Sequence, residues 1–159
     1  TGDPDEPIYD FGHAVERVAA AAEAARALPF PFTFVGRAEN FLHGRPDLDD
    51  TIRRLQAYEA AGADVLFAPG LPDLEAIRTV VASVGKPVNV VLWQKQSPYA
   101  IADLAAAGVR RVSSGGSFAR AALAGLVNAA AEVLGPGTLT YLDGALTSAE
   151  VHRFMTPNG

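Results

Sequence analysis

Arg37 and Glu39 stand two residues apart where the apolar part of FTFVGRAENF, residues 32–41, comes to an end. If an extended strand continues that far, alternation puts both side chains on the face of Thr33 and Val35, with Phe32 and Phe34 on the other. Such a pair can simply bridge in solvent, where it is worth little. Alternatively the guanidinium serves a ligand, because parallel α/β folds gather binding and catalytic side chains at the carboxyl ends of their strands. A second candidate is Ser113-Ser114-Gly115-Gly116, which runs directly into a long helical pattern. Its backbone N–H groups would meet an incoming anion with a helix dipole behind them; the glycines could equally serve close helix–strand packing.

Other chemistry is thinly represented. There is no cysteine, which removes disulfides, thiol nucleophiles and thiolate–zinc sites together. His13, His43 and His152 are too scattered for ligand spacing. No phosphate-binding P-loop, complete dinucleotide fingerprint or serine nucleophile elbow is present. Aspartates such as Asp47, Asp49, Asp50 and Asp73 fall at helix starts and in loops, so no strand carries the converging carboxylates that Mg2+ requires. Arg53-Arg54 and Arg110-Arg111 read as solvated charges on helix or strand edges.

The elements that must position these residues alternate. Helical patterns at 13–28, 49–61, 71–84, 97–107 and 117–134 are separated by short apolar strands at 32–35, 63–70, 86–93 and 109–116, and residues 145–155 suggest a tail helix. Gly62, Gly85 and Gly108 each stand where a helix hands over to a strand, a position suited to left-handed closure. Strands without clean polar alternation, separated by helices, imply a parallel sheet covered by helices. A small doubly wound sheet and half of a (β/α)8 barrel both fit.

The bulk numbers agree with one globular domain: 159 residues, 49% hydrophobic and 19% charged. The net charge of −5 argues against nucleic acid or an anionic membrane as partner. No apolar run is expected to reach the roughly 18 residues of a membrane span, and a soluble cytoplasmic protein is the default. The chain opens at Thr1, inside a loop-like TGDPDEP.

GRAENF, LHGRPDLDDTIRRLQAYEAAGADVLFAPG, KPVNVV and GVRRVSSGGSFARAAL together resemble the isocitrate lyase/phosphoenolpyruvate mutase family, in order and spacing, over about residues 1–143. The resemblance implies a (β/α)8 barrel, usually oligomeric, with Mg2+ and 2-oxo acid-like substrates whose C–C or P–C bonds are made or broken beside a carboxylate. It assigns Arg37 to the substrate carboxylate or phosphonate, a role the planar guanidinium suits because it can donate two parallel hydrogen bonds. Glu39 would hold Arg37 or a metal-bound water. Residues 1–13 correspond to the loop after the fourth strand, which closes over the site in relatives. Ser114, Gly115 and Gly116 complete the candidate substrate-binding set; no catalytic residue is singled out.

The departures from the family are specific. The cysteine acid of the isocitrate-type lyases is absent, Asn89 falls two residues too early to match their Asn-Thr-Glu run, and Pro69 stands where better-known members place Glu or His. Trp93-Gln94-Lys95-Gln96 is bulkier than the family prefers. The metal-holding aspartates belong to the first four strands of the family barrel, and the matched blocks correspond to strands five to eight. The expectation is a parallel half-barrel: a lid remnant at 1–12, a (β/α)4 body at 13–143 and a tail at 144–159. It would bind no Mg2+ by itself, accept a small carboxylate at Arg37, and self-associate to cover an apolar face formed by Val65, Phe67, Val90 and Leu92 or their alternates.

Overall fold

The computed structural model describes residues 1–92 and 99–156. The Trp93–Gln96 strand end and the first two residues of the helix expected at 97–107 lie outside the described residues. The chain forms two compact units, Thr1–Gly115 and Gly116–Gly159.

In the first unit, α1 (Phe11–Arg26) precedes three strand–helix repeats and a last strand: β1 (Val35–Arg37), α2 (Leu48–Ala60), β2 (Val65–Phe67), α3 (Leu74–Ser83), β3 (Val88–Val91), α4 (Ile101–Ala106) and β4 (Arg111–Ser113). A one-turn 3-10 helix, η1 (Phe41–His43), follows β1. Aspartates start three of the helices: the side chains of Asp10, Asp47 and Asp73 accept from the backbone N–H groups of His13, Asp50 and Ala76 at 2.8–3.0 Å.

The four strands are parallel and follow chain order, β1-β2-β3-β4. In a sheet that never reverses its strand order, crossovers of the usual hand put the connecting helices α2, α3 and α4 on the same face, which excludes the doubly wound alternative and leaves the partial barrel. The core confirms the placement. Leu66 and Val88 are buried with Leu55 and Tyr58 of α2 and Val80 of α3, while Ile77, Leu104 and Val109 form a second cluster with Val90 and Leu92 against it.

Register then fixes what the other face carries. Arg37, Phe67, Asn89 and Arg111 are successive partners across all four strands, flanked by Val35 and Val65 on one side and by Val91 and Ser113 on the other. Val65 and Phe67 therefore face away from the helices as expected. Val90 and Leu92 do not: they pack beneath the helices, and their alternates Asn89 and Val91 share the face of Phe67. The outward row is consequently more polar than the apolar surface anticipated.

The strands are shorter than their hydrophobic patterns. The first expected strand, 32–35, is displaced to Val35–Arg37. Pro31 cannot donate to a ladder, and Phe34 is fixed laterally by its N–H to the Asp64 carboxylate at 2.8 Å. Of the three joint glycines, Gly62 and Gly108 have positive φ (108° and 90°). Gly85 does not: α3 ends into an extended Val84, and Gly85 instead admits the Glu59 carboxylate, which accepts its N–H at 2.9 Å.

The second unit consists of α5 (Ser117–Leu134), the 3-10 helix η2 (Thr140–Gly144) and α6 (Ser148–Met155). The Glu132 carboxylate organises the turn after α5, accepting from the Thr138 and Thr140 hydroxyls and from the Thr140 and Tyr141 N–H groups. Thr147 and Glu150 form a reciprocal cap on α6. A membrane-length apolar run is not expected from the sequence, yet α5 is one. By length and composition alone α5 is apolar enough to cross a membrane, since Arg120 and Glu132 lie near its ends. Much of its apolar character is alanine, which favours any helix.

Gly36, inside β1, is a close joint between the sheet and α2. A Cβ there would lie 2.9 Å from the Ala63 Cβ and 3.2 Å from the Tyr58 Cβ, atoms too close to the backbone to swing aside. Gly36→Ala is expected to lower stability by about 1–3 kcal/mol, read as a lower urea midpoint with unchanged slope. An unchanged midpoint would show that β1 does not seat on α2 in this way.

Candidate functional site

The carboxyl end of β1 is a half-exposed charge cluster. Arg37 is the last residue of β1, and the next residue, Ala38, still donates its N–H to the Phe67 carbonyl at 2.9 Å. The chain then turns into η1, so Glu39 is presented from the loop rather than from a continued strand. Its carboxylate meets Arg37 Nε at 2.5 Å and NH2 at 3.4 Å, and the side chains are 44% and 34% exposed. The guanidinium carbon also lies 5.0 Å from the centre of the Phe67 ring, a cation–π contact. Glu39 and Phe67 thus fix the plane of Arg37, while NH1 has no hydrogen-bond partner among the described residues.

His43, too far from the other histidines to suggest a site by spacing, joins this cluster. The turn of η1 brings its Nε2 within 3.8 Å of Glu39 Oε2, and its backbone N–H donates to the Glu39 carbonyl at 3.2 Å. Gly70, after β2, lies against the same turn: a Cβ there would meet the Phe41 Cβ at 3.1 Å.

Beneath the turn lies a second arginine–carboxylate pair of a different character. Asp50 Oδ2 accepts from Arg54 Nε at 2.7 Å and from the Asn40 side chain at 2.8 Å, and Oδ1 accepts from Arg53 at 2.8 Å. Arg54 NH1 continues to the Tyr9 carbonyl at 2.9 Å, tying the N-terminal segment to α2. The Arg54 side chain is only 9% exposed and that of Asp50 18%. Burial pushes the Asp50 carboxyl upward, but the hydrogen bonds from Arg54 and Asn40 and the charges of Arg54 and Arg53 outweigh it and hold the group below the usual aspartate range. Arg53-Arg54 is therefore no solvated pair at its second member: Arg54 is a structural cation.

The remaining sequence candidates are spread apart. Ser114 and Gly115 follow β4, at the opposite edge of the sheet from Arg37, and no hydrogen bond among the described residues joins Ser114 to Arg37 or Glu39. Gly116 is the first residue of the second unit and the N-cap of α5. Arg111 is, as expected, an exposed charge on an edge strand, and it also falls in the row of Arg37, Phe67 and Asn89, where its NH1 donates to Asn89 Oδ1 at 2.8 Å. Only strand register reveals that placement, because a one-residue shift would turn Arg110 to this face instead.

Among the described residues no three His, Asp or Glu side chains converge. The carboxylates of the first unit's turns are committed elsewhere: Asp10, Asp47 and Asp73 to helix caps, Asp64 to Phe34, Asp50 to three donors and Glu39 to Arg37.

Comparison with known proteins agrees with this architecture. The phosphoenolpyruvate phosphomutase family profile matches residues 1–134, and the chain belongs to that family, within the phosphoenolpyruvate mutase/isocitrate lyase superfamily. An oxaloacetate decarboxylase of Paraburkholderia xenovorans is 33% identical over 107 residues, 67% of this chain and 33% of that protein. A 2-methylisocitrate lyase of Shewanella oneidensis is 28% identical over 96% of this chain and 52% of its own length. A crystal structure of a candidate lyase/mutase from Burkholderia cenocepacia superposes with a TM-score of 0.90 at 52% identity, covering 99% of this chain and 57% of that one. The chain thus spans between a third and rather more than half of the length of these relatives. Phosphonopyruvate hydrolase, solved with oxalate and Mg2+, shares the fold at a TM-score of 0.76 over 97% of this chain and 55% of its own.

The Asp50 pair generates a pH prediction. Its folded pKa is depressed, so its stabilisation is fully present above the unfolded value of about 3.9 and is lost as pH falls through the folded value. Asp50→Asn is expected to cost on the order of 3 kcal/mol at neutral pH, because Arg54 is left without its anion. The variant should also lose less of its remaining stability between about pH 5 and 2. Urea unfolding across that range checks both; parallel acid losses in the two proteins would remove Asp50 from the account.

Proposed function

We propose that this chain contributes a carboxylate-binding part of the barrel of an enzyme that makes or breaks a C–C or P–C bond in a small 2-oxo carboxylate, with Arg37 holding the substrate carboxylate. The observation that carries the reading is the state of Arg37. Its guanidinium stands at the carboxyl end of an edge strand, is held in plane by Glu39 and Phe67, and keeps NH1 without a partner among the described residues. Glu39 takes the Nε side, so a ligand carboxylate would approach the NH1 and NH2 side and form two parallel hydrogen bonds. Relatives that act on oxaloacetate or methylisocitrate, and one solved with oxalate, support small carboxylates as the ligand class.

The four described strands bring no converging carboxylates, so in this reading they bind and orient substrate but do not catalyse by themselves, and any metal would have its ligands on other strands. The sheet face opposite α2–α4 also requires a cover, because parallel sheets are stable when both faces are packed. Self-association of two copies is the proposed cover for the isolated chain. Light scattering at micromolar concentration is expected to give a mass above that of a monomer, and a clean monomer mass would contradict it.

The test of the site itself is Arg37→Ala. An ion pair this exposed contributes at most about 1 kcal/mol, so the melting temperature should fall by no more than about 4 °C. Oxalate binding measured by calorimetry should disappear. A large loss of thermal stability, or retained oxalate affinity, would make Arg37 a scaffold residue.

A further inference from the structure

Arg111, Asn89 and Ser113 form a second polar cluster on the sheet face opposite the helices, and the reading of Arg37 leaves it unused. Asn89 is 1% exposed, and both ends of its amide are satisfied: Nδ2 donates to Ser113 Oγ at 3.1 Å, and Oδ1 accepts from Arg111 NH1 at 2.8 Å. The Arg111 guanidinium can only donate, which turns Oδ1 toward it and leaves Nδ2 to donate to the Ser113 hydroxyl. A buried amide with both ends paired is a built arrangement, because leaving either end unpaired would be costly.

The charge of this cluster is unbalanced. No carboxylate among the described residues lies within ion-pair distance of Arg111, whereas Arg37 has Glu39 and Arg54 has Asp50. The other positions on this face are Val35, Val65, Phe67 and Val91, so none of the strands supplies an anion. Among the described residues the one hydrogen bond of Arg111 goes to Asn89, so most of its five guanidinium N–H donors have no partner there. An arginine on a sheet face that must be covered needs an anionic partner once water is excluded.

We propose that Arg111, held by Asn89 and Ser113, is a second anion-binding site for the oxyanion of a carboxylate or phosphate group, separate from that of Arg37. The two arginines share one row but stand on opposite edge strands. Three strand spacings separate them, about 14 Å along the sheet, too far for one oxalate to bridge. The proposal does not depend on what Arg37 binds.

The test titrates the 15N-labelled chain separately with oxalate and with inorganic phosphate, following the arginine Nε–H and asparagine side-chain resonances. Arg111 and Asn89 should shift saturably with at least one of the two anions, and should do so in Arg37→Ala as well. Arg111→Gln, which can still donate to Asn89, should abolish that response and leave the response at Arg37 intact. Arg111→Lys keeps the charge without the planar fork and should weaken binding about tenfold. Silence at Arg111 and Asn89 with both anions would overturn the proposal. So would loss of their response in Arg37→Ala, or a non-saturating drift shared with the exposed Arg53. A shift at Arg111 that follows protein concentration without added anion would also overturn it, by assigning the partner to an acidic side chain of a second copy.

Discussion

The order of the strands is the constraint on which the rest depends. Four parallel strands in chain order, joined by crossovers of the usual hand, place α2–α4 on one face and leave the other to a single set of alternate residues. That division decides which side chains pack and which remain for chemistry. Leu66, Val88 and Val90 sink beneath the helices, so Phe67, Asn89 and Val91 must face the other way, in line with Arg37 and Arg111. Moving one strand by one residue would exchange the two sets.

Within that frame the unit holds two arginine–carboxylate pairs that do opposite work. Arg54 and Asp50 are mostly shielded from water and share further bonds with Asn40, Arg53 and the Tyr9 carbonyl. Their role is to join the N-terminal segment, α2 and the turn after β1. Arg37 and Glu39 are half in solvent and have few other partners. Solvent screening keeps such a pair weak, so a ligand carboxylate can compete for the guanidinium at little cost to the fold. The buried pair anchors Asn40, and Asn40 is adjacent to Glu39, so the rigid pair supports the exchangeable one.

Much of this was legible in the residues. Repeated handover from helix to strand at glycine, and strands lacking polar alternation, specified a parallel α/β sheet, and the order of the GRAENF and VRRVSSGG blocks specified the family. What remained hidden depended on three-dimensional register. Nothing local marks Arg111 rather than Arg110 as the residue facing Asn89, nor Arg54 rather than Arg53 as the buried cation; each is decided by how a strand or helix is rotated against its neighbours. Gly85 looked like another left-handed cap and proved to be a point of close approach for Glu59. The strand expected at 32–35 slid toward Arg37 because its pattern ignored the proline and the lateral bond from Phe34 to Asp64. Ser114 and Gly115 end a strand as Arg37 does, but the sheet sets that strand at the opposite edge.

The central claim is that the half-exposed pair at the end of β1 is an exchangeable anion site, whereas the pair beneath it is structural. A crystal structure of the chain with oxalate tests it most directly. The account predicts an oxalate carboxylate on the NH1 and NH2 side of Arg37, Glu39 retained on Nε, and the Asp50–Arg54 pair unchanged. Oxalate absent from Arg37 at saturating concentration, or bound only where Arg54 has been pulled from Asp50, would contradict it.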